Sequence, residues 1–523
     1  MIGAMAVEAL ASNPSFQATL ALVLVSVVVR WYLSLPPNPK FPKADLDESD
    51  WHGSLMRAKT KYQNRPFIFG GRDPRIILPN YLFQELKDLP DEQLSFRQNA
   101  YKMLNGKYTG LGKNVHPLSE SVKNELTMNI NITLALLQDE IQYAIEEGIG
   151  NCPDWTPVKI FGKLLRIVAL ASGRIFVGRP LCRDEEWIDM TINYTVDSAN
   201  AIKEVQDTPR YLRPFLVPFK PSIRKAATYR QKVAEMLKPQ LNEMIEAHKN
   251  LGDYDDDNHS DDLSADQHSL ALWSMGHYEN GESPTAETIA DTILAAAFAA
   301  IHTTTMTLTN VLFDLAAYPK YADELREEIK RVSAEEPSGR LRKKTIPKLK
   351  KLDSFIKESQ RVHPLGSAML LRLVTAPNGI QLSSGDYLPH GSVVAVASAR
   401  QTGALDPKIL SPMPPQPSLD EFHPWRFNDL RTFNGEENKH QFVTTTTEST
   451  VFGHGRWACP GRFFASNEIK AILIQLLTRY DIAVGPAGQA EGEGEWKRPS
   501  TFSVEMGYYP DPEASIYFKD REL

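Results

Sequence analysis

Residues 452–464 read FGHGRWACPGRFF, and this stretch is the most informative segment of the sequence. Cys459 stands directly before Pro460, a residue type that often opens a helix. The positive end of a helix dipole at this point would lower the pKa of the thiol and favour the thiolate. Nearby glycines would let a flat ligand lie close to the backbone. A single thiolate in an apolar, glycine-rich turn is what the proximal iron ligand of a haem requires, and a buried structural cysteine is the alternative. The residues whose spacing favours the haem interpretation are Phe452, Gly455, Cys459 and Gly461.

The same stretch resembles the haem-binding signature Phe-x-x-Gly-x-x-x-Cys-x-Gly of the cytochrome P450 family, the haem-thiolate monooxygenases. The resemblance implies haem b (iron protoporphyrin IX) as the cofactor and Cys459 as its axial metal ligand. Family members usually carry Arg or His two residues before the cysteine, against a haem propionate. Here Trp457 occupies that place, and its neutral indole can donate one hydrogen bond. Arg456 and Arg372, which ends an LLR segment, are further candidates for cofactor contacts.

Two more segments carry the resemblance, in the family's order. Glu358 and Arg361 stand three residues apart on a predicted helix and therefore share a face. Ion pairs of this kind are frequent on surfaces and are weak evidence alone. FHPWRF at 422–427 resembles the family's second motif, whose arginine, here Arg426, joins the pair. The resemblance implies a structural triad that locks the segment below the haem and does no chemistry.

The segment AAIHTT at 299–304 resembles the family's oxygen-binding motif. Its small residues would admit dioxygen and substrate, and Thr303 would help to pass protons to the reacting oxygen. His302 replaces the usual acid; it is a candidate proton relay, since imidazole titrates near neutral pH, and a structural hydrogen bond is the alternative. A threonine-rich core helix is the alternative for the whole segment. By family position, the candidate substrate-pocket residues are Phe298, Ala299, Ser367, Ala368 and Tyr508.

Helical patterns dominate the body of the chain. Ser283 as N-cap and Pro284 as the first helical residue begin a stretch without proline or glycine that ends at Tyr318. About 34 residues at 1.5 Å each span roughly 50 Å, so this helix must cross the core. From 370 to 399, short β-rich runs broken by glycine and proline predict a small sheet, and a helix returns after Pro460. The sequence predicts a mainly α fold with minor β, and the resemblance implies the cytochrome P450 fold, with haem between the long central helix and the cysteine loop.

The N-terminal segment predicts a membrane anchor. Phe16 to Leu35 is twenty residues long with one charge, Arg30, near its end, and about 20 residues span a bilayer core of ~30 Å. A cleaved signal peptide, the alternative, would have a basic start. Basic residues after the span favour a cytosolic body. We therefore expect an anchor over residues 1–35, a haem-thiolate monooxygenase domain over 36–523, and a single-pass protein of the endoplasmic reticulum membrane.

Composition excludes several other classes of protein. The 523 residues are 42% hydrophobic and 24% charged, which is ordinary for a globular protein and argues against wholesale disorder or many membrane spans. A formal net charge of −7 provides no field that attracts nucleic acid. Three cysteines without a Cys-x-x-Cys pair exclude a zinc ribbon and a dense disulfide framework. The acidic stretch at 253–266 predicts a surface loop between helices.

Within the family, the sequence is most similar in its motifs to the filamentous-fungal microsomal branch, whose members act in secondary metabolism. This resemblance implies an oxidoreductase that hydroxylates or otherwise oxidises a lipophilic terpenoid, alkaloid or polyketide intermediate with O2. Because the chain has no flavin or nicotinamide motif, electrons would come from NADPH-cytochrome P450 reductase on the same membrane, with a microsomal b-type cytochrome as a further donor. The basic stretch at 340–351 is a candidate docking patch for the acidic reductase, and a solvated helix edge is the alternative. Oxidative coupling, desaturation or ring rearrangement is the second hypothesis, and a non-catalytic haem protein is the third.

Overall fold

The structure, a computed structural model, describes most of the chain. The described residues are 14–33, 40–71, 73–113, 115–251, 269–278, 284–336, 339–397, 417–419, 421–446, 449–486 and 497–522. The predicted acidic loop at 253–266 lies outside this set.

Helices make up most of the described chain, as the sequence predicts. The α-helices are α1 (Pro14–Leu33), α2 (Trp51–Tyr62), α3 (Asn80–Phe83), α4 (Phe96–Met103), α5 (Gly106–Thr109), α6 (Val115–Ser121), α7 (Ile130–Gly148), α8 (Ile160–Phe176), α9 (Glu185–Asp207), α10 (Arg213–Leu216), α11 (Pro221–Leu251), α12 (Leu270–Ser274), α13 (Ala286–Ala317), α14 (Lys320–Ser333), α15 (Lys350–Val362), α16 (Arg426–Leu430) and α17 (Arg462–Arg479). A π-helical segment, Val122–Leu126, follows α6. Short 3₁₀ turns lie at Leu181–Arg183, Val217–Phe219, Met275–His277, Ile346–Lys348 and Gly455–Trp457.

The predicted long central helix is α13, which runs for 32 residues through the core. Its side chains are mostly small or branched and apolar, so helices α8, α9 and α11 all pack against it. Thr285 is its N-cap: the hydroxyl of Thr285 accepts from the amide of Thr288, and the hydroxyl of Thr288 accepts from the amide of Thr285. Because this reciprocal capping box satisfies two free amides, the helix begins at Ala286 rather than at the predicted Pro284.

The strands form a minor β component, as predicted. They are β1 (Phe67–Phe69), β2 (Arg75–Leu78), β3 (Leu94–Ser95), β4 (Thr156–Lys159), β5 (Ala368–Val374), β6 (Ile380–Gln381), β7 (Tyr387–Leu388), β8 (Val393–Ala397), β9 (Tyr480–Ala483), β10 (Thr501–Val504), β11 (Gly507–Pro510) and β12 (Ser515–Asp520). The largest sheet has the order β1-β2-β8-β5-β3, with β2 and β8 parallel and the other neighbours antiparallel. Smaller sheets join β4-β12-β9, β6-β7 and β10-β11.

The core has a helical part and a sheet part. In the helical part, α17 packs against α7 and α13, so the segment that precedes α17 is held at the edge of this core. In the sheet part, successive residues of β2 face opposite sides: Ile76 and Leu78 join one apolar cluster, and Ile77 joins another. Such alternation buries both faces of the sheet. The cysteine turn is therefore held by the helical core, whereas the strands carry residues toward it from the side.

The N-terminal segment is helical over α1, and its described apolar side chains are exposed. Leu22, Val25 and Val28 are 69%, 58% and 58% exposed. Among the helices whose side chains are all described, a set that leaves out α1 and α11, α13 is the one long and apolar enough to cross a membrane, and 56% of that stretch is buried inside the protein. A helix of a protein core passes this test as readily as a membrane span does.

Candidate active site

The cysteine turn, residues 452–461, precedes α17. The amide of Cys459 donates to the carbonyl of Phe452 at 2.6 Å and closes the turn. Gly453 and Gly455 have φ values of +72° and +70°, a left-handed backbone that glycine adopts without strain. A Cβ on Gly453 would lie 2.9 Å from a backbone oxygen of the same turn, and one on Gly455 would lie 2.6 Å from the carbonyl oxygen of Lys87. The backbone of the turn therefore requires both glycines.

Helix α17 begins at Arg462 with Gly461 as its N-cap, two residues later than the sequence predicts. Burial raises the pKa of the Cys459 thiol, and the amides of Gly461 and Arg462 offset only part of this effect. The amides at the helix start therefore lower the thiol pKa as predicted, but desolvation outweighs them in the chain alone. A coordinated metal reverses that balance, since it deprotonates a bound thiol outright. Beside the sulfur, a Cβ on Gly461 would lie 4.0 Å from Sγ.

Two buried donors near the turn, Arg372 Nη2 and Trp457 Nε1, have no hydrogen-bond partner among the described residues. The ring of Phe96 contacts both side chains: its centroid lies 5.1 Å from the guanidinium and 6.1 Å from the indole. Burial lowers the pKa of Arg372 to about 10, and Asp91 opposes the shift, so the group stays charged at neutral pH. An unpaired buried donor costs roughly 1–3 kcal/mol. An anionic group such as a haem propionate would satisfy both donors, so these residues fit the cofactor that the motif implies.

Arg97 also lies beside Trp457, and the sequence motifs do not identify it. Its guanidinium lies 5.7 Å from the ring centroid of Trp457, and its Nε donates to Asp91 at 3.0 Å. No motif marks Arg97, because it reaches the cysteine turn from α4, several hundred residues earlier in the chain. Arg456, which the sequence does mark, is exposed, and its guanidinium lies 5.8 Å from the same indole.

The three residues of the predicted triad meet in one buried ion cluster. Arg361 donates to the two carboxylate oxygens of Glu358 at 2.8 and 2.9 Å. Arg426 Nε lies 3.2 and 3.3 Å from the same oxygens, and the amide of His423 donates to Glu358 at 2.9 Å. The Nη atoms of these two arginines also donate to the backbone carbonyls of Pro417, Ser418, Leu419 and Glu421. The cluster therefore ties α15 to the segment that leads into α16.

The predicted oxygen-motif residues lie on the middle of α13. Ala299 and Thr303 are exposed there although most of the helix is buried. Thr303 Oγ1 donates to the carbonyl of Ala299 at 2.7 Å, and that of Ala300 lies 3.3 Å away, a pattern that bends helices. His302 points to α9, where its Nε2 lies 3.1 Å from the carbonyl of Ile192, and burial lowers its pKa. Thr303 and His302 are thus adjacent in sequence but directed to different neighbours.

Two predicted pocket segments are bonded to each other. The amide of Ser367 donates to the carbonyl of Met506 at 2.8 Å, and the amide of Tyr508 donates to that of Leu365 at 3.2 Å. The hydroxyl of Tyr508 also contacts Nδ1 of His52 on α2. The turn before β5 and the β10–β11 hairpin therefore form one unit.

Two other pocket candidates pack into the core. Ala368 pairs with Ala397 in the main sheet and belongs to the cluster on one of its faces. Phe298 is half-buried against the helical core. Of the five candidates, Ala299 is the one that the structure places on the exposed stripe of α13.

The basic stretch at 340–351 is partly neutralised within the chain. Its ion pairs with acidic side chains are Arg340–Asp139, Arg342–Glu336, Lys344–Glu336, Lys348–Glu335 and Lys351–Glu324. Such pairs reduce the positive field that the stretch can present to a partner.

A mainly α fold that sets a cysteine turn beside one cationic and one neutral buried donor, each without a described hydrogen-bond partner, fits a haem protein. The family model described as Cytochrome P450 matches residues 125–504. The chain therefore belongs to the cytochrome P450 family. It is a haem-iron monooxygenase, and enzymes of this family use dioxygen and take electrons from a redox partner.

Several monooxygenases of this family are similar along almost the whole chain. Cytochrome P450 monooxygenase ascG of Acremonium egyptiacum is 33% identical over 531 residues, which cover 98% of this chain and 97% of that protein. Cytochrome P450 monooxygenase BOA7 of Botryotinia fuckeliana is 36% identical and covers 94% and 90%. Cytochrome P450 monooxygenase ataF of Aspergillus terreus is 35% identical and covers 96% and 94%.

Proposed function

We propose that this enzyme oxidises a lipophilic natural-product intermediate, of terpenoid, alkaloid or polyketide class, in a fungal secondary metabolic pathway. The relatives in fungi support the setting. The observation that carries the cofactor assignment is the pair of unpaired buried donors, Arg372 and Trp457, beside the turn of Cys459. Haem b fits them because its propionates are anionic acceptors and its iron takes a thiolate.

Each residue of the turn has a distinct task in this proposal. Cys459 would hold the haem iron through its thiolate, and Gly461 leaves space next to its sulfur. Arg372 and Trp457 hold the propionates, with Arg456 at the exposed rim. Phe452 and Gly455 hold the turn in shape. When bound, the haem supplies the reductive cleavage of dioxygen, with one oxygen atom transferred to the substrate and the other released as water.

Thr303 is the proposed catalytic group of α13, and His302 is a proposed positioning residue. Thr303 presents its hydroxyl on the exposed stripe, where the oxygen can accept one proton and donate another. His302 acts from the neighbouring position. With its imidazole kept neutral by burial and bonded to Ile192, it holds α13 against α9 and so fixes the direction of the Thr303 hydroxyl.

The N-terminal segment suggests where the protein is located, and the sequence motifs suggest how it receives electrons. We propose that residues 1–35 anchor the protein as a single pass in the endoplasmic reticulum membrane and that residues 36–523 form the cytosolic domain. The exposed apolar side chains of α1 support the anchor. NADPH-cytochrome P450 reductase would deliver electrons, with a microsomal b-type cytochrome as a second donor, since the sequence has no flavin or nicotinamide motif.

A carbon monoxide difference spectrum of the reduced protein tests the proposal. We expect a thiolate-type absorption band in the wild type and its loss in Cys459→Ala. Cys182→Ala is the control, because Cys182 is a free cysteine buried in the helical core. A colourless wild type, or a thiolate-type band that persists in Cys459→Ala, would refute the cofactor assignment. Product analysis under labelled dioxygen then separates oxygen insertion from coupling, desaturation or rearrangement.

A further inference from the structure

A polar pocket lies at one end of the exposed stripe of α13. The stripe comprises residues about one helical turn apart: Asp291 and Ala295 are half-buried, and Ala299 and Thr303 are exposed. Asp291 and Ala295 line the pocket together with residues of α9, α11 and the turn that follows α5. A rise of 1.5 Å per residue puts Ala295 about 12 Å from Thr303 along the helix axis. A substrate that lies along the stripe can therefore reach the pocket while another part of it lies at Thr303.

One nitrogen of Arg230, on α11, is directed at this pocket and is not engaged. The guanidinium is held by Asp291, with Nε and Nη2 on the two carboxylate oxygens. The described hydrogen bonds of Arg230 are these two, and neither uses Nη1. Gly110, with φ of +79°, lies opposite: a Cβ there would be 3.3 Å from Nη1. Glycine at this position therefore leaves a fixed donor open to a ligand.

The charge of the pocket is positive. Asp291 neutralises Arg230, whereas Lys113, which also lines the pocket, forms no ion pair with a described residue. Tyr194 lines the pocket as well, and burial raises its pKa to about 12, so its hydroxyl keeps its proton at neutral pH. The pocket therefore offers three hydrogen-bond donors, Arg230, Lys113 and Tyr194, and carries one net positive charge. Both features suit a ligand with an anionic oxygen.

We propose that this pocket binds a carboxylate carried by the lipophilic substrate. Arg230 Nη1 and Lys113 hold the carboxylate, and the apolar remainder lies along Ala295 and Ala299 with the carbon to be oxidised near Thr303. The inference rests on the proposed function and narrows its substrate class to acids whose carboxylate and reactive carbon are roughly 12–18 Å apart, the helical rise from Thr303 to Ala295 and to Asp291.

The test compares dodecanoic acid with methyl dodecanoate as probes of the haem-loaded, full-length protein in neutral detergent. Isothermal titration calorimetry at neutral pH measures both affinities. One charge-assisted hydrogen bond corresponds to about tenfold in affinity, so we expect the acid to bind at least about tenfold more tightly than the ester. Arg230→Gln combined with Asp291→Asn removes both charges of the pair together, and we expect it to abolish the preference. Lys113→Gln, in the turn after α5, is expected to reduce it.

The matched control lies on the same two helices. Lys238 and Glu287 form an exposed ion pair at 3.8 Å between α11 and α13, and Lys238→Gln with Glu287→Gln should leave the acid preference unchanged. Equal affinity of the wild type for acid and ester, no binding of either, or equal effects of both double variants overturns the inference. The carbon monoxide band is recorded on the same samples; its absence rejects the proposed function, whereas its presence with an unselective pocket rejects only the carboxylate site.

Discussion

In the proposed site, Trp457 would lower the stability of the haem-free chain and help to retain haem. Its buried indole N–H has no partner among the described residues, and an unpaired buried donor costs roughly 1–3 kcal/mol. A family member with Arg or His at this place would bring a charge; in the proposed site Arg372 would supply the charge from β5, and the indole would add a single neutral donor. The proposed propionate contacts are therefore divided between separate elements.

Trp457→Phe should make haem loss faster and leave the haem-free protein as stable or more stable. The phenyl ring keeps most of the packing but removes the unpaired donor. Transfer of haem to apomyoglobin measures the loss, and urea unfolding of the haem-free protein measures stability. Trp187→Phe is the control, because Trp187 Nε1 is also buried without a described partner but belongs to the helical core. Equal haem-loss rates in the two variants would contradict the assignment of Trp457 to a propionate.

Glu468, on α17, predicts a pH dependence of stability. It is fully buried, its one described partner is the hydroxyl of Ser172 at 2.8 Å, and burial raises its pKa to about 8. Between the ordinary pKa of Glu, about 4.3, and that value, the folded protein holds a proton that the unfolded chain releases, so stability falls as pH rises, by about 1 kcal/mol per unit. Glu468→Gln should remove this slope.

Urea unfolding at a series of pH values checks the slope. We expect the stability gain of Glu468→Gln over the wild type to grow from about pH 5 to about pH 8 and then to stay constant. The exposed Glu92→Gln variant should follow the wild type throughout. A gain that does not change with pH would show that Glu468 is ionised in the folded protein.

At the scale of elements, the cysteine turn depends on close contact with the turn that follows α3. A Cβ on Gly455 would lie 2.6 Å from the carbonyl oxygen of Lys87, closer than real Cβ contacts. Gly455→Ala should therefore prevent haem incorporation, because the turn must shift away from Lys87. Gly339→Ala is the matched control: Gly339 has φ of +67°, close to the +70° of Gly455, with no atom within 4 Å of its Cβ position. The ratio of haem absorbance to protein absorbance measures the effect, and equal losses in both variants would attribute it to backbone strain alone.

At the scale of the whole molecule, a buried ion cluster joins the C-terminal segment to α13 and α15. Asp314, near the end of α13, accepts from Arg498 Nε at 2.5 Å and from the Ser359 hydroxyl at 2.5 Å, and His363 Nε2 lies 3.3 Å away. Burial alone would raise the pKa of Asp314, but Arg498 and His363 outweigh it and the pKa is lowered. The cluster holds the start of the β10–β11 hairpin, which is bonded to the turn before β5.

Replacing Arg498 alone should lower the free energy of unfolding strongly, and replacing Arg498 and Asp314 together should lower it less. Arg498→Gln leaves Asp314 buried without its principal cation, at an expected cost of about 3–5 kcal/mol. Arg498→Gln with Asp314→Asn should recover much of that loss. Because the lowered pKa of Asp314 stabilises the fold above the ordinary pKa of Asp, this stabilisation is lost as pH falls through acid values. Urea unfolding completes the double-mutant cycle, and the exposed Lys159→Gln, paired with Glu513, should leave the midpoint unchanged.

The sequence alone determined the cysteine turn, the order of the motifs, the central helix and the mainly α class, because each depends on residues close together in the chain. Spacing suffices for such features: Glu358 and Arg361 share a helix face by geometry, and a run without proline or glycine predicts α13. The pairing of Arg426 with them needed the resemblance to the family.

Only the tertiary structure decided which distant groups surround the cysteine turn and how their charges balance. It placed Arg97 beside Trp457, turned His302 toward α9, showed that desolvation outweighs the helix dipole at Cys459, and left Arg230 Nη1 open across from Gly110. The physical reason is that desolvation and ion pairing depend on neighbours that folding supplies from remote parts of the chain, and local spacing carries no information about those neighbours.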